Sequence, residues 1–200
     1  MLVKEAIEIL EEEPLEDNII IAHWNKESIE HALDTTLSND EWSHLCFEGN
    51  NSQEWSFIIE GLEADDLLGI TATSSKEDCI IVSEDKDLNT IPCKIFNPAK
   101  DTKARTITEF EADYNHMMQT LCGDASDNYS GCPSIGPKTA EKILKDCTTS
   151  ADLWDAVLAT FKKHKLSEDV ALVQAQVARI CRDTDFDTNT GKVIPWMPKQ

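Results

Sequence analysis

Cys79-Ile80-Ile81-Val82 is an unbroken apolar run that gives way at once to Ser83-Glu84-Asp85-Lys86-Asp87. Side chains along a strand alternate between two faces, so a half-solvated strand would interrupt such a run with polar residues. An unbroken run calls for a strand covered on both faces, as in a parallel sheet flanked by helices. The expected strand spans Asp78–Ser83. The acids after it then lie at the carboxyl end of a parallel strand, where open α/β sheets place their ligands. One short stretch therefore points both to an α/β fold and to a candidate site.

The surrounding pattern agrees with that class. Val3, Ile7 and Leu10 form one stripe of an amphipathic helix over Val3–Glu13, ended by Pro14. Ile19–Ala22 reads as a short buried strand, Lys26–Leu37 as a helix, Gly49 to Gln53 as a loop and Trp55–Ile59 as a second strand. Glu63–Thr73 begins with acids, which suit the positive end of a helix dipole. Lys94–Phe96 is a further strand. The alternation up to about residue 107 indicates a layered sheet. Beyond it the periodicity is helical. Thr108 with Glu111 forms a capping-box signature for a helix over Glu109–Leu121, ending at Gly123. A loop over Gly123–Gly136 precedes helices at Pro137–Lys145, Ala151–His164 and Ser167–Arg182, and Lys192–Trp196 reads as a last strand.

Charge divides the chain. The formal net charge is −20, which argues against generic nucleic-acid binding. Residues 1–70 hold 18 acids and 2 bases, whereas residues 71–200 hold 20 acids and 16 bases. If several of the later acids bind divalent metal, the second region is close to neutral, and its lysines remain able to hold a phosphate backbone. The seven cysteines form no CxxC pair, so the expectation is free thiols in a reducing cytoplasm. No apolar run is long enough for a transmembrane helix, and no membrane partner is expected. His23, His31, His44 and Cys46 fit no metal-ligand spacing and read as ordinary side chains.

Three acidic clusters carry chemistry. In Glu63-Ala64-Asp65-Asp66, Glu63 and Asp66 share a helix face. In Ser83-Glu84-Asp85-Lys86-Asp87, an extended backbone would point Asp85 and Asp87 the same way. In Gly123-Asp124-Ala125-Ser126-Asp127-Asn128, two aspartates bracket small residues just after a helix. Taken singly, they also read as an acid-capped helix start, a solvated turn and an Asx-rich turn. Together they would repel severely in one pocket without cations. Hard divalent ions favour such oxygen sets, and two of them can activate water and stabilise the leaving oxygen in phosphodiester hydrolysis. A fourth motif follows, Gly131-Cys132-Pro133-Ser134-Ile135-Gly136-Pro137-Lys138-Thr139-Ala140. Its glycines frame a tight turn before a helix N-terminus, whose N–H groups, with Lys138, suit a DNA phosphate.

These four motifs in this order resemble the phage and bacterial 5′–3′ exonucleases, which share their fold with flap endonucleases. The family patterns are Glu-Ala-Asp-Asp, Ser-x-Asp-Lys-Asp-Leu, Gly-Asp-x-Ser-Asp-Asn and Gly-x-x-x-Ile-Gly-x-Lys-Thr-Ala. Here they stand as Glu63–Asp66, Ser83–Leu88, Gly123–Asn128 and Gly131–Ala140. Val177–Arg182 with Lys192–Pro198 resembles the ending of podovirus-type replication exonucleases. The resemblance covers about residues 55–200.

It implies a PIN-like, mostly parallel sheet with a C-terminal helical subdomain containing a helix-hairpin-helix DNA-binding motif. The implied organisation is an atypical acidic segment 1–54, an α/β metal-binding core 55–107 and a helical DNA-binding subdomain 108–200. Glu63, Asp65, Asp66, Asp85, Asp87, Asp124 and Asp127 take metal roles, for two Mg²⁺ or Mn²⁺ ions. Asp85, Lys86 and Asp87 form the catalytic set. Gly131, Ile135, Gly136, Lys138 and Thr139 grip duplex DNA, with K⁺ at the glycine hairpin. The substrate implied is double-stranded DNA with a 5′ end or flap, cut during replication in the cytoplasm, that of a bacterial host for a phage protein. The family's opening Asp-Gly strand, its aspartate before Phe-Arg and its basic arch find no counterpart in residues 1–54. The first part of such an enzyme is therefore expected to be missing or replaced. A second chain supplies it, or the protein is a catalytically impaired binder of duplex or junction DNA, or it is a degenerate remnant.

Overall fold

The computed structural model describes residues 18–21, 62–75 and 79–198. The helices expected at Val3–Glu13 and Lys26–Leu37, the strand at Trp55–Ile59 and the segment 1–54 as a unit lie outside these residues, apart from the strand β1 (Asn18–Ile21).

β1 pairs in parallel with β2 (Cys79–Val82), and β2 pairs in parallel with β3 (Lys94–Phe96). β4 (Arg105–Thr106) closes the order β1-β2-β3-β4 by an antiparallel pairing. All four residues of β2 are buried, as an apolar central strand requires. Its side chains part to two faces. Ile81 joins Leu68, Leu88, Ile91, Ile95, Ile107 and Ala112 in one cluster, while Ile80 and Val82 meet Phe96 on the other side.

α1 (Ala64–Ser74) packs on this sheet through Leu68. Its first turn is closed by Asp66 Oδ2, which accepts from Glu63 N at 3.4 Å. α2 (Glu109–Cys122) starts on the Thr108/Glu111 capping box read from the sequence, with Thr108 N to Glu111 Oε2 at 2.8 Å. α3 (Pro137–Leu144), α4 (Ser150–Lys163) and α5 (Glu168–Val177) follow. They gather around α2 in a second core containing Met117, Leu121, Leu144, Leu153, Val157 and Phe161. The chain is thus a mixed α/β molecule, a small sheet with a helical part beside it.

Two expectations need correction. The last long helix ends at Val177, not Arg182. Residues beyond it are drawn off the helix by competing partners: Cys181 N donates to Asp66 Oδ1 at 2.9 Å, and Arg179 and Arg182 form buried ion pairs with Asp185 and Asp113. The approach to α1 is so close that a Cβ on Gly69 would lie 2.1 Å from the Cys181 carbonyl oxygen. The final strand is also shorter than Lys192–Trp196. Only Lys192–Val193 pairs, antiparallel with Phe186–Asp187, while Trp196 turns inward to meet His116 and Trp154 edge-on. Cys79, Cys93, Cys122, Cys132, Cys147 and Cys181 form no disulfide, and Cys79, Cys132 and Cys181 are buried. Among the described residues no helix is long and apolar enough to cross a membrane.

Candidate metal centre and acidic groove

The chain leaving β2 does not stay extended. Ser83 N donates to Phe96 O at 3.0 Å, prolonging the sheet by one bond. The Ser83 hydroxyl then accepts from Asp85 N at 3.0 Å, and Asp85 Oδ1 accepts from Asp87 N at 2.8 Å. These local side-chain bonds offer the backbone an alternative to the ladder. A 3₁₀ turn over Asp87–Thr90 follows, pulled inward by the fully buried Leu88 and Ile91. Asp85 and Asp87 do reach one groove, but through a turn and not by strand alternation.

The second wall is the loop after α2. Asp124 and Tyr129 exchange two backbone hydrogen bonds, of 2.9 and 3.0 Å, and so pinch residues 124–129 into a small closed loop. Gly123 and Gly131 stand at its neck with φ of 70° and 61°. A Cβ on Gly131 would lie 2.3 Å from Gly123 N, and one on Gly123 would lie 2.4 Å from Ser130 C. Only glycines permit this neck, for both backbone angle and space. Gly131 is buried and its N–H donates to Gln174 at 2.6 Å. Its place in the structure is thus in the frame of the acidic loop.

Three carboxylates meet here. Asp87, Asp124 and Asp127 each offer an oxygen, all within 4.8 Å of one another. Two neutral side chains hold the set in place; Ser126 stands inside the third motif without a role read for it, and Gln119 stands in no motif. Gln119 Nε2, from the last turn of α2, donates to Asp87 Oδ1 at 2.6 Å. Ser126 donates to Asp124 Oδ1 from its backbone N–H at 2.9 Å and also from its hydroxyl. The Ser126 bonds, with help from Lys86, push the Asp124 carboxyl down to about 2. Lys86 Nζ bridges the pair, 3.1 Å from Asp87 Oδ1 and 3.3 Å from Asp124 Oδ2, and its hydrogen bond to Asp87 is the main reason its own pKa is raised. Tyr129 is buried behind the loop, and burial, together with the charges of Asp124, Asp87 and Asp127, raises its phenol.

The rest of the acids come from α1. Glu63, Asp65 and Asp66 line the same groove, of about 620 Å³, as Asp85, Asp87 and Asp127. Asp66 has structural work besides, since it accepts from both Glu63 N and Cys181 N. Arg179 is the one basic side chain on the groove wall among the described residues, and its guanidinium is bound to Asp185 at 2.7 Å. The donor set is therefore all oxygen and strongly negative, which suits hard divalent cations such as Mg²⁺ or Mn²⁺. The lysine ammonium already lying between two of the carboxylates marks where positive charge is needed.

The glycine hairpin stands on the neighbouring side of the helical part. Ser134 takes a left-handed φ of 64°, and Gly136 caps α3, whose first residue is Pro137. Ile135 packs against the helical core, whereas Gly136, Lys138 and Thr139 are exposed. A Cβ on Gly136 would meet nothing within 4 Å, so nothing inside the fold demands a glycine there.

Comparison with known proteins decides the kinship of this arrangement. Residues 112–198 match the family model of the 5′–3′ exonuclease C-terminal SAM fold. Over this stretch the chain is similar to the 5′–3′ exonucleases. It is 28% identical over 168 residues to an exonuclease of Escherichia phage T7, covering 68% of this chain and 56% of the relative. It is 28% identical over 170 residues to an exodeoxyribonuclease of Enterobacteria phage T3, covering 69% and 56%. Over 154 residues it is 32% identical to DNA polymerase I of Bacillus subtilis, covering 66% of this chain and 17% of that one. The chain thus spans about half the length of its phage relatives.

Proposed function

We propose that this protein is a metal-dependent nuclease of the 5′–3′ exonuclease and flap-endonuclease type, hydrolysing phosphodiester bonds of double-stranded DNA near a 5′ end or flap. The observation that carries the reading is the meeting of Asp87, Asp124 and Asp127 within 4.8 Å, from segments far apart in sequence, beside a groove lined by four more acids. Asp87, Asp124 and Asp127 would hold one Mg²⁺ or Mn²⁺ ion, and Glu63, Asp65, Asp66 and Asp85 offer oxygens across the groove for a second. Such ions supply a water of lowered pKa and charge stabilisation at the leaving oxygen.

The chain's own residues do the positioning. Gln119 and Ser126 fix the Asp87 and Asp124 carboxylates in place before any ion arrives. Asp85 holds the turn that carries Asp87, and Lys86 lies where it can meet a phosphate. Gly136, Lys138 and Thr139, at the exposed start of α3, would bind the DNA backbone as part of a helix-hairpin-helix, with Ile135 anchoring the turn and Gly131 framing it, and with K⁺ as a candidate ion there. On this reading residues 55–107 belong to a PIN-like metal-binding core and 108–200 to a DNA-binding subdomain, in a protein of the replicating phage or bacterial cytoplasm.

The test is cleavage of 5′-flap and nicked duplexes by the full chain with Mg²⁺ or Mn²⁺. Asp85→Asn and Asp124→Asn keep an acceptor oxygen for the local turns, so the fold should persist by circular dichroism while cleavage is lost. Cleavage unchanged in both variants would remove these residues from the mechanism. DNA binding without products, in every metal tried, would reject the enzymatic reading.

A further inference from the structure

We infer that Lys86 is an internal counter-cation of the Asp87–Asp124 pair which an incoming divalent ion displaces, so that metal binding and release of the lysine are one exchange. The inference rests on the metal reading above and adds what tunes the site's affinity. Three observations and the electrostatics of the site point to it.

The two carboxylates that Lys86 bridges, at 3.1 and 3.3 Å, are two of the three that meet closely enough for an ion. Asp124 Oδ1 already accepts twice from Ser126, so Oδ2 is the oxygen left for a cation, and Oδ2 is the one Lys86 occupies. The lysine is not buried. Its side chain is 73% exposed, so its head is held by the carboxylates and its flexible stem is free to swing away. Finally, an ammonium and a divalent ion on the same oxygens would stand only a few ångströms apart, where like charges repel strongly. One has to leave, and the doubly charged ion makes the stronger bonds to the three oxygens. The released ammonium then lies at the mouth of the groove, beside the place a phosphate would enter.

Titration of Mn²⁺ into the full chain, followed by calorimetry or electron paramagnetic resonance, tests this without any assay of cleavage. Lys86→Met should bind Mn²⁺ roughly tenfold more tightly than the native chain, since no ammonium need be displaced, whereas Lys86→Arg should stay close to native affinity. Asp124→Asn should bind far more weakly. A second readout is the acylation rate of the Lys86 amine, measured by mass spectrometry, which should rise when Mn²⁺ saturates the native protein. Native-like affinity in Lys86→Met, with Asp124→Asn impaired and the amine equally reactive with and without Mn²⁺, would overturn the exchange and leave the metal site standing. Binding absent from the native chain, or unaffected by Asp124→Asn, would remove the metal site itself and the exchange with it.

Discussion

The molecule handles clustered charge in two opposite ways. Behind the groove, Asp113 and Asp185 face Arg182 and Arg179 in the interior. Arg182 Nη1 meets Asp113 Oδ1 at 2.9 Å and Arg179 Nη2 meets Asp185 Oδ2 at 2.7 Å. Ser150 donates to Asp113 at 2.7 Å, and Arg182 Nη2 donates to Thr90 O at 2.9 Å. There each acid has its own guanidinium, and the cluster ties α2, the turn after β2 and the C-terminal segment together. In the groove, Asp87 and Asp124 share the exposed Lys86, and Arg179, already bound to Asp185, is the one basic side chain on the wall among the described residues. The difference teaches what each region is for. A matched buried cluster tolerates nothing more, since each added ion would have to be desolvated without a partner. An acid-rich, water-exposed cluster is stable only while solvent and ions compensate it, and so it is poised to take up cations.

The comparison can be broken at its strongest point first. Arg182→Ala leaves Asp113 buried without its charge partner and should cost about 3–5 kcal/mol in denaturant unfolding. Added Mg²⁺ should not restore the loss, because the groove is a separate cluster. A cost below about 1 kcal/mol would mean that the interior pair is not what joins the parts.

The groove should behave in reverse. Saturating Mg²⁺ or Mn²⁺ should stabilise the native chain, by about 2.7 kcal/mol when the ion stands at 100 times its dissociation constant. Asp87→Asn combined with Asp124→Asn should abolish that gain and leave the metal-free stability little changed, as measured by thermal unfolding. An equal gain in the double variant would place the stabilising ion elsewhere.

His116 sharpens the picture of the interior. Its ring is buried and Nε2 lies 2.7 Å from the Ala175 carbonyl oxygen, so that nitrogen donates and the ring is neutral. Burial, with Arg179 nearby, pushes its pKa from 6.5 down to about 3. The unfolded chain therefore binds the extra proton first. Stability is intact above pH 6.5 and falls as the pH drops toward 3, by up to about 1.4 kcal/mol per unit from this group. His116→Gln should flatten the pH dependence of unfolding between about pH 6 and 4, and an unaltered slope would show that His116 is not the titrating group.

The smallest effect concerns the hairpin. Lys138→Glu should weaken duplex binding for all sequences alike and reduce the slope of log K against log salt by about 1. Fluorescence anisotropy across a salt series would show it, and an unchanged slope would exclude Lys138 from the phosphate contacts.

Much of this was legible in residue order. The β2 run, the acidic start of α1, the capping box at Thr108 and the helices α2 to α4 depend on local pattern, and they stand close to where pattern placed them. The acids of the site were legible as motifs because several carboxylates so near glycines and strand ends have little use in packing. Gln119 was not. Nothing distinguishes it from any exposed helical glutamine until the Asp87 turn is folded against α2. The early end of α5 was hidden for the same reason. Val177 to Arg182 continues a passable helical pattern, but Asp66 and Asp113, distant in sequence, and Asp185, just beyond the segment, offer it stronger partners.

The apolar run and its acidic sequel therefore determined by themselves that a buried strand would end in a charged loop, because burial and alternation are properties of neighbouring residues. Only the tertiary structure decided that Asp85 would cap a turn, that Asp87 would meet Asp124 and Asp127, and that Lys86 would lie between two of them. Those contacts join distant residues, Lys86 and Asp124 being 38 positions apart, and their geometry follows from how α2 packs on the turn after β2, which no local pattern encodes.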